Sequence, residues 1–180
     1  LDRPALTQDA LQRPGKEWLF TKYDQLGRVA YTGIFTHPST VSRAALQTYF
    51  DSQNDTPSEL YETKLSSIGP QGIYYSSSDY PSYALEVLTV NYYDTYVDLP
   101  SGFVSPTSIY NQPITNQTKG LSTVSKVRIL GTSNWITTLI YYDDKARSIY
   151  AYSKNDYLSA TDIIENKLDF TGKLLETKTT

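Results

Sequence analysis

The sequence predicts a mainly β fold, a β-rich α+β chain of antiparallel hairpins and a meander, with one inserted helix near residues 39–51. Three observations support this class. Tyr accounts for 17 of the 180 residues, and Tyr has a high strand propensity. Short aromatic and β-branched runs recur between Asp, Gly, Asn and Ser clusters, which is typical of strands joined by turns. Helical spacing is clear only in the stretch that follows His37-Pro38.

The first elements are an extended segment and a hairpin. Residues 1–16 contain two Pro and no sustained period, so they predict an extended lead-in. Strands at Glu17–Tyr23 and Arg28–Phe35 then flank the turn DQLG. In that turn Asp24 can accept backbone hydrogen bonds, and Gly27 can take the conformation that closes the turn.

The inserted helix follows, within an insert that spans residues 36–60. Ser39 is a suitable N-cap, and the helix is expected to end near Asp51. One face would carry the residues spaced at helical intervals, Val41, Ala44, Ala45, Thr48 and Tyr49. A short strand at Glu59–Ser66 is expected after it.

The remaining elements are further strands and one long loop. Ala84–Tyr93 is a long β-branched run and predicts a central strand. Residues 94–124 predict a long loop that is rich in Pro, Ser and Thr. The last third predicts five strands, at Lys126–Leu130, Trp135–Tyr142, Arg147–Ser153, Ile163–Leu168 and Lys173–Thr179. Residues 17–180 are therefore expected to form one β-rich segment.

Composition excludes several classes of function. A net charge of -3 and no basic block argue against nucleic-acid binding. The absence of Cys excludes disulfides, thiolate metal sites and Cys nucleophiles. No apolar run reaches the length of about 18 residues that a membrane span requires. A chain that begins at Leu1 and has no Met is expected to be a mature or excised fragment.

No group of residues predicts catalysis, a cofactor or a metal. His37 is the only His and has no positioned nucleophile beside it. The doublet Asp143-Asp144 favours turn capping, because adjacent strand residues point to opposite faces. A glycosidase-like enzyme, which needs two facing carboxylates, is therefore the weakest alternative.

One frame recurs in the turns: an aromatic residue or Leu, then Asp, two variable residues, Gly or Ala, and Arg or Lys. It occurs in KYDQLGRV, in YYDDKARSI and in KLDFTGKLL, with a fainter relative at Asn91–Leu99. The frame resembles the YD repeat of the Rhs family of bacterial surface and toxin-delivery proteins, whose pattern is Tyr-Asp-x-x-Gly-Arg. The complete match consists of Tyr23, Asp24, Gly27 and Arg28.

The other two copies match in part. Tyr142, Asp143 and Arg147 fit the pattern with Ala146 in place of Gly. Asp169 and Gly172 fit it with Leu168 in place of Tyr and Lys173 in place of Arg. The whole chain also looks like the non-repetitive part of large Rhs-type cell-surface proteins of Bacteroidetes.

The resemblance implies a non-catalytic scaffold for a shell or cargo, located in the bacterial envelope or secreted. Its partner would be the remainder of the same long polypeptide. The irregular spacing of the repeats favours a compact β-rich segment over a regular shell wall. The alternative is a carbohydrate-binding or adhesive module that presents aromatic rings to a glycan or a surface protein. Its candidate residues are Trp18, Trp135, Tyr74 and Tyr75, although packing inside the sheet is the favoured explanation for such residues.

Overall fold

The computed structural model of the chain describes residues 3–52 and 60–180. It contains one α-helix and eleven strands within those ranges. They are β1 (Leu6–Thr7), β2 (Glu17–Tyr23), β3 (Val29–Thr36), α1 (Arg43–Ser52), β4 (Leu85–Tyr93), β5 (Ser108–Ile109), β6 (Gln112–Pro113), β7 (Ser122–Arg128), β8 (Trp135–Tyr142), β9 (Ser148–Asn155), β10 (Ala160–Leu168) and β11 (Leu174–Thr179).

The strands confirm the mainly β class. Nine of them form one antiparallel sheet in the order β1-β2-β3-β4-β7-β8-β9-β10-β11, and β5 pairs with β6 in a separate ladder. Strands that are adjacent in the sheet are also consecutive in the sequence, except that β5 and β6 come between β4 and β7. Between β2 and β3 and from β7 to β11 this follows from the short turns, because a short turn brings the next strand back beside the previous one.

The contacts within the chain define two compact units, Leu1–Thr89 and Val90–Thr180. The core of the first unit is aromatic. In β2, Trp18 and Phe20 point inward while Leu19 between them is exposed, as the period of a half-buried strand requires. Phe20 packs edge-on against Tyr31 with ring centroids 5.9 Å apart.

The second unit contains the meander from β7 to β11. Its core contains Val124, Leu139 and Ile149, each at most 1% exposed. Tyr96 stacks on Tyr141, with ring centroids 4.2 Å apart and an angle of 8° between the planes. The outer strand β11 is exposed along its whole length.

The predicted strands of both hairpins, the central strand and the meander are present, with ends shifted by a few residues. The extended lead-in is present only as β1, and residues 10–16 form turns. The stretch predicted as a long loop contains β5 and β6, and β7 begins in it at Ser122. Of the strand expected at Glu59–Ser66, Glu59 lies outside the described residues, and Glu62 and Lys64 form isolated bridges only.

The prediction for the helix was wrong in its start and its face. α1 begins at Arg43, and the Oγ of Ser42 accepts a hydrogen bond from the Ala45 N–H at 3.2 Å, so Ser42 takes the place expected for Ser39. Leu46 is its buried residue, whereas Ala45 and Tyr49 are exposed. Ala and Thr bury little apolar surface, so the larger Leu46 decides which face turns inward.

Within residues 3–52 and 60–180, no helix combines the length and the apolarity that crossing a membrane requires.

Candidate functional site

The turn at Asp24 is held by one carboxylate. Asp24 Oδ1 accepts hydrogen bonds from the N–H groups of Leu26 and Arg28, at 3.0 and 2.8 Å. Its Oδ2 accepts one from Arg28 Nε at 2.7 Å. The main chain closes the loop twice, from the Asp24 N–H to the Arg28 oxygen and from the Gly27 N–H to the Asp24 oxygen. The cation of the frame therefore binds the turn's own carboxylate.

The turn at Asp143 has the same arrangement. Asp143 Oδ1 accepts from the N–H groups of Lys145 and Arg147 at 3.0 and 2.9 Å, and Oδ2 accepts from Arg147 Nε at 2.6 Å. The main-chain bonds from the Asp143 N–H to the Arg147 oxygen and from the Ala146 N–H to the Asp143 oxygen are also present. A complete match and a partial match to the frame therefore give one structure.

The turn at Asp169 keeps the backbone part of this arrangement. Asp169 Oδ1 accepts from the N–H groups of Thr171 and Lys173 at 2.8 and 2.9 Å. The Thr171 hydroxyl also donates to it, at 2.6 Å. The same two main-chain bonds close the turn, from the Asp169 N–H to the Lys173 oxygen and from the Gly172 N–H to the Asp169 oxygen.

A register shift precedes each of the three Asp residues. It falls between Lys22 and Tyr23, between Tyr141 and Tyr142, and between Lys167 and Leu168. In every case the residue before Asp, Tyr23, Tyr142 or Leu168, pairs with the residue six positions later. Such a bulge increases the local twist of a strand pair, so the frame determines the register as well as the turn.

The fourth residue of each turn has a positive φ, +76° at Gly27, +59° at Ala146 and +94° at Gly172. This is the left-handed region, which Gly enters without steric cost and Ala enters at a cost. The substitution of Ala for Gly in the second copy has therefore left the backbone conformation unchanged.

Arg147 connects two of the turns. Its Nη1 donates to the carbonyl oxygen of Asp169 at 3.0 Å, and its guanidinium lies against Gly172, where an added Cβ would be 3.3 Å from Nη1. Lys145 in the same turn donates from Nζ to the Phe170 oxygen at 3.0 Å. The two cations of the turn at Asp143 thus bind the main chain of the turn at Asp169.

Arg3 takes a comparable position in the first unit. It precedes β1 as Arg147 precedes β9, and its guanidinium lies against Gly27, where a Cβ would collide with it. The same group lies 5.2 Å from the centre of the Tyr23 ring. A guanidinium from the chain before a turn therefore covers the turn glycine in both units.

The faint copy of the frame at Asn91–Leu99 does not form this turn. Asp94 has a φ of +70°, and its Oδ1 accepts from the distant Gly120 N–H at 2.6 Å. Its main-chain N–H bonds to the Leu121 oxygen. The sequence similarity at this place therefore does not extend to the hairpin geometry.

The hydrogen bonds affect the acidity of the turn carboxylates. Burial alone would raise the pKa of Asp143, but the hydrogen bonds from Arg147 and from the Lys145 N–H hold that pKa below its usual range. The hydroxyl of Thr171 and the backbone N–H groups of the turn lower the pKa of Asp169, against a smaller opposing effect of burial. Both carboxylates are stabilised in the ionised form that the turn requires.

A buried charge cluster lies beside the first turn. Lys22 is 1% exposed, and its Nζ lies 3.2 Å from Glu62 Oε1 and 3.8 Å from Asp79 Oδ2. It also donates to the Asp79 carbonyl oxygen. Glu62 accepts from the Ser76 hydroxyl at 2.5 Å and from the Ser78 and Asp79 N–H groups at 3.0 and 3.2 Å.

Each charge in this cluster has a structural partner. Burial lowers the pKa of Lys22, against the raising effects of Asp79 and Glu62. For Tyr31, whose ionised form is the charged one, burial raises the pKa instead. The Tyr31 hydroxyl donates to the Ser76 oxygen at 3.0 Å. The cluster ties β2 to the segment that contains Glu62 and Asp79. Sequence reasoning missed it, and the one available signal was that the alternation of β2 places Lys22 on the inward face with Trp18 and Phe20.

The four candidate ligand-binding aromatics are packed to different degrees. Trp18 and Tyr75 are buried, at 4% and 1% exposed, and Tyr74 is half-buried. Trp135 is also half-buried, with Lys126 Nζ 5.4 Å from its ring centre. The structure does not bring the four together in one exposed platform.

The remaining candidates from the sequence are His37 and the doublet Asp143-Asp144. His37 Nδ1 is 2.6 Å from the Ser39 oxygen and 3.1 Å from the Ser39 nitrogen, within a local loop. Asp143 is buried and Asp144 is exposed, so the two carboxylates do not converge. Among residues 3–52 and 60–180, no three His, Asp or Glu side chains are grouped as a metal would require.

A cavity of about 1500 Å³ opens in the first unit. β1, the turn at Asp24 and the start of α1 contribute to its wall. The wall includes Trp18, whose buried Nε1 has no hydrogen-bond partner among the described residues. The cavity and the charge cluster touch at Asp79.

Comparison with known proteins found no matching family model, no matching curated protein and no matching solved structure.

Proposed function

We propose that the chain is a non-catalytic structural segment of a large secreted or cell-surface Rhs-type protein, and that it acts as a scaffold for the rest of the same polypeptide. The observation that carries this proposal is the hydrogen-bond pattern shared by the turns at Asp24, Asp143 and Asp169. The Asp, the Gly or Ala and the final cation of the frame are the positions that make those bonds. This use of the frame supports a structural role for it.

The connection between turns supports the same proposal. Arg147 binds the main chain of the turn at Asp169, so one copy of the frame positions another. Repeated contacts of this kind would suit an extended scaffold. Lys173, the corresponding cation of the last turn, is exposed.

The use of the carboxylates also supports a structural role. Asp24 and Asp143 are buried and bound to their own arginines, at 2.7 and 2.6 Å. A general acid or nucleophile must reach a substrate, whereas these groups are occupied by the turn. A glycan-binding role for the aromatics has weaker support, since Trp18 and Tyr75 are buried.

A triple substitution in the full-length polypeptide would test the proposal. Asp24→Asn, Asp143→Asn and Asp169→Asn together should reduce the amount of intact protein on the cell surface, measured by protease shaving and immunoblotting. The control changes exposed carboxylates, Asp144→Asn, Asp156→Asn and Asp162→Asn, and should leave surface display unchanged. The proposal would be overturned by unchanged display of the turn variant, or by glycoside hydrolysis that a single carboxylate substitution abolishes in a folded protein.

A further inference from the structure

The cavity of the first unit is positively charged although the chain as a whole is not. Four cations line it, Arg3, Arg13, Lys16 and Arg43, and none of them forms an ion pair with a carboxylate of the described residues. Its two carboxylates, Asp24 and Asp79, are paired with Arg28 and Lys22. In a chain of net charge -3, this concentration of positive charge along one cavity favours an anionic ligand.

The helix adds to that potential. α1 begins at Arg43 and has no acidic residue in its first turn, and Ser42 and Arg43 both line the cavity. The N-terminus of a helix carries a partial positive charge, so a cation there is unfavourable unless an anion approaches. The helix terminus and the arginine therefore favour the same kind of ligand.

Part of the cavity wall is apolar. Leu6, Leu46 and Phe50 line it together with Trp18, which is 4% exposed. These side chains favour apolar groups on the ligand.

The cavity also borders the end of the sheet. β1 is the first strand in the sheet order and pairs only with β2 among the described strands. Both of its residues, Leu6 and Thr7, line the cavity. An edge strand presents main-chain groups to which an extended peptide can add.

From these four observations we propose that the cavity binds an extended acidic peptide whose apolar side chains contact Leu46 and Phe50 and whose backbone adds to β1. A peptide fits better than an acidic glycan, because sugars need an open ring face for stacking. The Trp18 ring is buried, and the Tyr23 ring lies under Arg3. The cavity also exceeds the size of about 300–1000 Å³ that suits small molecules. The proposal does not depend on the structural role proposed above.

Fluorescence anisotropy with labelled probe peptides would test the charge preference. The probes are EVELEVEL and KVKLKVKL, which share their apolar residues and differ in charge. The acidic peptide should bind about tenfold more tightly or better, and its affinity should fall as salt rises from about 50 to about 300 mM. Equal affinity for the two peptides would overturn the proposal. So would binding of hexagalacturonic acid without binding of EVELEVEL, since the ligand would then be a glycan.

A double variant with a matched control would locate the site. Arg13→Gln with Arg43→Gln should weaken EVELEVEL about tenfold, whereas Lys119→Gln with Lys178→Gln, outside the cavity, should change it less than about twofold. Arg13 and Arg43 are exposed, so the fold should persist, as far-UV circular dichroism would show. Affinities equal to those of the unmodified chain in the double arginine variant would overturn the proposed site.

A backbone modification would test the strand addition separately. EVELEVEL with N-methyl groups on alternate residues cannot donate along one edge. Methylation of the edge that faces β1 should abolish binding, and methylation of the opposite edge should not. Equal binding of both methylated peptides would exclude addition to β1.

Discussion

Arg147 and Asp169 are joined by a hydrogen bond of 3.0 Å from the guanidinium Nη1 to the main-chain oxygen, which connects the turn at Asp143 with the turn at Asp169 in the second unit. The same guanidinium contacts Asp143 Oδ2 at 2.6 Å. One side chain therefore closes its own turn and fixes the position of the turn at Asp169. A substitution of Arg147 should therefore destabilise both turns.

Arg147→Ala should destabilise the chain by about 2 kcal/mol, because it leaves the buried Asp143 carboxylate without its cation and the Asp169 oxygen without its donor. Urea unfolding followed by circular dichroism would measure this. Lys154→Ala removes an exposed pair with Asp156 and should cost at most about 0.5 kcal/mol. Equal losses in the two variants would contradict the role given to Arg147.

Ala146→Gly should stabilise the chain by about 1 kcal/mol. Ala146 has a φ of +59°, a conformation that costs an L-residue about 1–2 kcal/mol and costs Gly nothing, although Gly also raises the entropy of the unfolded chain. Thermal unfolding would show a higher midpoint. Ala151→Gly in β9 is the control and should lower the midpoint, since Gly weakens a strand.

Gly27→Val should destabilise the chain by about 1–3 kcal/mol, the scale of a strained backbone position. The φ of Gly27 is +76°, and a Cβ there would meet the Arg3 guanidinium. Gly27→Val combined with Arg3→Ala separates the two causes, because only the contact is relieved in the double variant. An unchanged melting curve of Gly27→Val would contradict the turn geometry.

Acid should weaken the fold through the turn carboxylates. The pKa of Asp143 is lower in the folded chain than in the unfolded one, so the unfolded chain takes up its proton first as the pH falls. The stabilisation is complete above the unfolded Asp value of about 3.9, and it is lost as the pH falls from there through the folded pKa. Urea midpoints between about pH 6 and pH 2 should fall less steeply in Asp143→Asn than in the unmodified chain. Asp144→Asn removes the same charge but none of the turn's hydrogen bonds and should retain the full slope.

Lys22→Met should destabilise the chain by about 3 kcal/mol or more, because Glu62 would remain buried without a cation. Glu62→Gln should also destabilise it, since Lys22 loses its nearest carboxylate. The double variant should cost less than the sum of the single losses, because neither charge is then left alone. Strict additivity in urea unfolding would contradict the coupling.

The sequence predicted the strands because their signals are local. The Asp and Gly of each turn, and the β-branched runs beside them, depend on neighbours within a few positions, which is why the hairpins around Asp24 and Asp169 were found. The cluster at Lys22 could not be found in this way. Glu62 and Asp79 come from segments without a regular period, 40 and 57 residues further along the chain, and only tertiary packing brings them to β2.

The helix shows a second limit. Its existence follows from spacing, but its first residue depends on which serine satisfies an N–H group, and both Ser39 and Ser42 have the right chemistry. Its inward face depends on the space that the sheet leaves for Leu46. The cavity could not be predicted from the sequence either, because its cations come from distant segments, the lead-in at Arg3 and Arg13 and the helix at Arg43.

Because Lys22 is buried, the reactivity of its amine would measure how often the first unit opens. An amine that is 1% exposed and bound between two carboxylates is shielded from acylating reagents, whereas the exposed Lys119 and Lys173 react at once. Mass spectrometry of the peptide that contains Lys22 would therefore count, molecule by molecule, how often the first unit opens under native conditions.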